Sequence, residues 1–100
     1  MKEKDIEKAV CRYAEEQGFL VRKYNSDTCA GVPDRIFFGY KMVFLIEFKA
    51  PGGYVSAIQQ REIKRIRDHG VVVLVVDNIQ AGKAYIDLYK ELGEYDAAKT

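Results

Sequence analysis

The stretch GVPDRIFFGYKMVFLIEFK, residues 31–49, decides how the rest of the chain is read. It has the form of two apolar strands joined by a short turn, with polar residues where a core strand would carry none. From Val43 to Lys49 the side chains alternate between two faces. Phe44, Ile46 and Phe48 share one face, and Val43, Leu45, Glu47 and Lys49 share the other. If Tyr40-Lys41 forms a two-residue hairpin loop, Gly39 pairs with Met42 and Asp34 falls opposite Glu47. A four-residue loop closed by Phe38 and Val43 keeps that register, whereas a three-residue loop breaks it. Directly opposed residues have Cβ atoms about 4.5–5.5 Å apart, and like charges there destabilise a sheet. Two facing carboxylates with Lys49 beside them are poor structural design and good design for a divalent-cation site.

Outward from this hairpin, the chain predicts an α/β fold. An amphipathic helix is expected over residues 5–17, with Ile6, Val10, Tyr13 and Ala14 at helical spacing and Gly18 as its stop. Glu7 lies at the edge of that apolar stripe. A first strand is expected over 19–24, and Pro33 favours an extended Val32 before the hairpin. After Pro51-Gly52-Gly53 a second helix is expected over 56–69, closed by Gly70. The valine run 71–76 reads as a strand buried on both faces. Asp77 and Gln80 read as the capping pair of a last helix over 78–92, with a frayed tail from Gly93. The order α-β-β-β-α-β-α gives an antiparallel meander, a crossover helix and a parallel fourth strand, in a mixed sheet flanked by helices.

One hundred residues suit one domain, 1–100, with a single modest core. A hydrophobic share of 48% excludes a disordered chain. Cys11 and Cys29 supply neither a disulfide framework nor a zinc set and are expected as free thiols. The charged start MKEKDIEK has no signal-peptide core, and no apolar run reaches the ~20 residues of a membrane span. A soluble, cytoplasmic protein with no membrane partner is therefore expected.

Asp34 and Glu47 offer only oxygen ligands, which select a hard cation such as Mg2+ or Mn2+. Lys49 reads either as the residue that orients an attacking water or as a counter-ion to Glu47. Gln59 falls on the apolar side of the second helix and also forms the capping box S-x-x-Q with Ser56. Arg61, Lys64 and Arg65 make a basic face that reads as a phosphate-binding surface or as a solvated helix side.

The pattern GVPD, IEFK, S-x-x-Q and a helix ending in Gly before a valine-rich strand resembles the PD-(D/E)XK nuclease superfamily. Within it, the chain is most similar to the VRR-NUC (virus-type replication-repair nuclease) domain, over nearly its whole length. The resemblance implies a restriction-endonuclease-like core and metal-dependent cleavage of DNA. It implies Asp34 and Glu47 as metal ligands, joined by the Phe48 backbone carbonyl and by Glu7 from the first helix. Lys49 and Gln59 would complete the catalytic set, with Gln60 the neighbour that a one-residue shift would select. Stand-alone members of this size imply a homodimer acting on branched or structured DNA, in a DNA-repair setting. A phage gene expressed in a bacterial host is one source the resemblance allows. In such a dimer Leu88 is expected in the monomer core and Tyr85, Tyr89 and Tyr95 at the partner. The rival readings are a non-cleaving DNA-binding module and a small interaction subunit. Metal-dependent nicking separates the nuclease from both.

Overall fold

A computed structural model describes residues 1–99, with side-chain surroundings through Tyr95. The elements follow the expected order: α1 (Glu3–Glu16), β1 (Leu20–Lys23), β2 (Arg35–Gly39), β3 (Met42–Phe48), α2 (Ala57–Asp68), β4 (Val72–Val76) and α3 (Ile79–Lys99). The sheet runs β1-β2-β3-β4, antiparallel at the first two pairings and parallel at the last. Gly18 at φ +99° ends α1 in the left-handed region that glycine adopts without strain.

The hairpin turn is the two-residue loop. Tyr40 and Lys41 both have positive φ, 54° and 62°, as a turn whose twist matches its strands requires. Gly39 pairs with Met42 and Arg35 with Ile46, so one further step in the same register sets Asp34 opposite Glu47.

The alternation along β3 divides the core in two. Phe44, Ile46 and Phe48 are fully buried under α1 and α3, together with Ile6, Val10 and Ile86. Leu45 packs on the opposite face with Ile63 of α2 and Val73 of β4. The larger core is aromatic: Phe37 stacks on Phe44 at 5.0 Å, and Tyr89 on Phe44 at 4.8 Å. Such pairs each add about 0.5–1.5 kcal/mol beyond the area they bury. Two glycines let α3 approach closely. A Cβ on Gly82 would stand 2.4 Å from Val10, and one on Gly93 only 2.3 Å from Tyr40.

Four expectations are corrected. β4 is an edge strand, so Val72 and Val75 stay 37% and 40% exposed rather than buried on both faces. The last helix is capped by Asn78, whose Oδ1 accepts from Ala81 N at 2.8 Å, while Asp77 only accepts from the Asn78 amide. The helix also continues past Leu92 and Gly93 to Lys99 instead of fraying. Its phase reverses the expected split of apolar residues. Tyr85 and Tyr89 pack against the monomer core, whereas Leu88 is 45% exposed beside Leu92 at 44%. Helical spacing marks the stripe but not which flank of it the sheet covers. Cys11 and Cys29 are free thiols, and burial pushes Cys11 up to about 12. No helix among the described residues is long and apolar enough to cross a membrane.

Candidate active site

Glu47 sits near the C-terminal end of β3, a strand bonded on both sides, and is only 2% exposed. Asp34 lies one residue before β2. Its carbonyl accepts from Tyr24 N at 3.0 Å, continuing the β1–β2 ladder. Its carboxylate turns the other way, and Oδ2 accepts from Phe48 N at 2.7 Å. The backbone on both sides thus fixes Asp34 beside β3.

Around Glu47 a compact polar network closes. Lys49 Nζ lies 3.1 Å from Glu47 Oε2 and donates to Gln59 Oε1 at 2.9 Å. Gln59 Nε2 donates to the same Glu47 Oε2 at 2.9 Å. The Gln59 carbonyl also accepts from Ser56 N at 3.0 Å, and Gln59 N donates to Ser56 Oγ at 3.2 Å. The two readings of Gln59 hold together: one side chain closes the capping box and binds both Glu47 and Lys49. Gln60, exposed, donates instead to Val55 O.

One oxygen is left over. Glu47 Oε1 is buried and has no hydrogen-bond partner. An unsatisfied buried acceptor costs about 1–3 kcal/mol, and more when it carries charge. Burial and the neighbouring Asp34 carboxylate hold the Glu47 carboxyl above its usual range, against the pull of Lys49. Burial also raises Asp34, against the Phe48 N–H bond that lowers it. Both shifts describe carboxylates taken out of water beside other carboxylates, a cost that the Phe48 N–H and Lys49 only partly offset. Lys49 N donates to Val76 O at 2.9 Å. In a planar trans peptide the Phe48 carbonyl then projects the opposite way, toward the Asp34 side. Two carboxylates and that carbonyl are a donor set suited to a hard divalent cation.

Glu7 is not drawn into this set. Its Oε2 accepts from Arg35 Nε at 2.6 Å, and no group of three His, Cys, Asp or Glu able to hold a metal occurs among the described residues. Arg35 was not anticipated. Its place directly after Asp34 puts it on the α1 side of the sheet, which alternation alone would have shown. Arg61, Lys64 and Arg65 are exposed on α2, whose buried residues are Glu62 and Ile63. Lys64 pairs with Asp68 at 2.8 Å and Arg65 with Glu62 at 3.4 Å.

No family model matches the sequence, and no curated protein does. A solved structure described as "VRR_NUC domain" matches with a TM-score of 0.80 at 27% identity, over 89% of this chain and 98% of that one. In fold as in motif, this chain is similar to a VRR-NUC domain and has the nuclease-like architecture of that domain.

Proposed function

We propose that this chain is a Mg2+- or Mn2+-dependent DNA endonuclease that cuts branched or structured DNA such as junctions or flaps. The observation that carries the reading is Glu47 Oε1, a buried carboxylate oxygen with no donor, beside a second carboxylate. Asp34, Glu47 and the Phe48 carbonyl would hold the cation. When bound, such an ion lowers the pKa of a coordinated water and stabilises charge on a phosphate in transit. Lys49 has three donors, of which Glu47 and Gln59 engage two. The third is free to hold the attacking water or a phosphate oxygen. Gln59 is a positioning residue: it fixes both Glu47 and Lys49 while its backbone starts α2. Glu7, with Oε2 held by Arg35, has only Oε1 to offer a cation. Arg61, Lys64 and Arg65 supply an outlying phosphate-binding face on α2.

The test is cleavage of linear, flap and four-way-junction DNA with Mg2+ or Mn2+. Asp34→Asn, Glu47→Gln and Lys49→Ala are each expected to lower the rate by at least roughly 10²–10³-fold. Full activity in folded Glu47→Gln, or no cleavage of any substrate with either ion, would sink the assignment.

A homodimer is part of this proposal, because two sites related by a two-fold axis could nick both arms of a branch. Leu88 and Leu92 offer the exposed apolar stripe for it. Light scattering at micromolar concentration should give twice the mass of one chain, and a monomer mass would defeat it.

A further inference from the structure

We infer that the cleft between α1 and the ends of β1 and β2 binds the sugar–phosphate backbone of the DNA strand to be cut, through Lys4, Lys8 and Lys23. This deepens the nuclease reading and rests on it. The cleft has a volume of about 730 Å³ and reaches Asp34 at one end. Its lining holds five cations and three carboxylates, an excess of positive charge beside a site that is itself rich in carboxylate.

The pairing of those charges separates this surface from the basic face of α2. Arg35 is engaged by Glu7, and Arg12 by Glu16 at 3.4 Å. The side chains of Lys4, Lys8 and Lys23 make no hydrogen bond or ion pair among the described residues, and all three residues are exposed. On α2, by contrast, Lys64 and Arg65 already have carboxylate partners. A phosphate reaching the cleft lysines replaces only water and counterions, while one reaching Lys64 or Arg65 must compete with those carboxylates. That leaves Arg61 as the one cation of the α2 trio without such a partner among the described residues. Lys4 and Lys8 stand one helical turn apart, about 6 Å along the axis, so they can address successive phosphates of one strand. Lys23 faces them from β1. Cations from two elements thus converge on one concave surface whose lining includes Asp34, one of the two proposed cation-binding carboxylates. Phosphate contacts of this kind fix register without reading sequence, as a structure-selective enzyme requires.

The experiment measures binding separately from cutting. Fluorescein-labelled four-way-junction DNA is titrated in EDTA against the full chain, followed by fluorescence anisotropy over a series of NaCl concentrations. Lys4→Ala/Lys8→Ala/Lys23→Ala is expected to weaken binding at least tenfold at 0.1 M salt and to flatten the log–log salt slope by about 2–3. Arg61→Ala/Lys64→Ala/Arg65→Ala is expected to flatten it by about 1 or less. The cleft variant removes only exposed, unpaired side chains and should melt like the parent. A thermal melt of the α2 variant, which takes Arg65 from the buried Glu62, confirms that it is folded at the assay temperature. Lys8→Glu alone provides a second reading and should weaken binding more than Lys8→Ala. Unchanged affinity and slope in the cleft triple variant, or a larger loss in the α2 variant, would overturn the inference. Parent protein that binds with this lysine dependence but never cleaves with metal would uphold the cleft and refute the nuclease. Parent protein that does not bind the junction would refute both.

Discussion

The two ends of the β2–β3 hairpin are built on opposite principles. At the turn, Tyr40 and Lys41 occupy left-handed backbone that side chains rarely adopt, and Tyr40 is held there by its neighbours. The Tyr40 hydroxyl donates to the Gln17 carbonyl at the end of α1, and its ring meets Phe19 edge-on at 5.1 Å. Gly93 of α3 closes against its backbone. At the open end the backbone is ordinary, but the side chains conflict: two carboxylates, both held above their usual range, and one buried oxygen with no donor. One end spends local strain to gain packing. The other gives up local stability for a place where a cation fits.

That contrast predicts opposite signs for substitutions at the two ends. The larger effect belongs to the turn. Gly93→Ala would set a methyl 2.3 Å from Tyr40 Cβ and 2.5 Å from its carbonyl oxygen. Overpacking against backbone should outweigh the gain in helix preference and cost about 2 kcal/mol net. For a domain of this size that lowers the melting temperature by roughly 8–16 °C. A thermal melt within the error of the parent would remove the claim that the turn is fixed by close approach.

The smaller effect belongs to the open end. Without metal, Asp34 and Glu47 bind protons more tightly folded than unfolded. The folded state then carries more protons than the unfolded one above the ordinary carboxylate range, near pH 4, so stability falls as pH rises through the folded values. Glu47→Gln should flatten that fall in EDTA and raise the melting temperature at neutral pH by about 4–8 °C, the equivalent of about 1 kcal/mol. A lower melting temperature than the parent at neutral pH would show that the Glu47 network stabilises the empty fold.

The fold was legible because its signals were local and agreed with one another. Alternation along 43–49, a turn of only two residues, glycines behind two helices and a valine run together leave one arrangement of the sheet. The opposition of Asp34 and Glu47 followed from the register alone. What escaped was set by tertiary context. The valine run does not say that β4 lies at an edge, and the 85–95 stripe does not say which flank meets the sheet. Glu7 could be placed near the apolar face, but its capture by Arg35 depends on how α1 crosses the strand. Lys4, Lys8 and Arg12 recur at i, i+4 spacing in the sequence, a signal the bulkier charge cluster of α2 overshadowed.

The capping box of α2 has a consequence for the connection that precedes it. Residues 51–54 are exposed, and Gly52 stands at φ +79° with nothing within 4 Å of where a Cβ would sit. The connection is anchored at one end by Lys49 N on Val76 O and at the other by Ser56 N on Gln59 Oε1. Gln59 in turn binds Glu47 and Lys49, so α2 is tied to β3 side chain to side chain rather than through the intervening chain. Closing a flexible loop costs only about 0.6 kcal/mol for each doubling of its length. The span 51–54 is therefore a splice point, where inserted sequence could lengthen the chain or carry an added module while the distance between Glu47 and Gln59 stays the same.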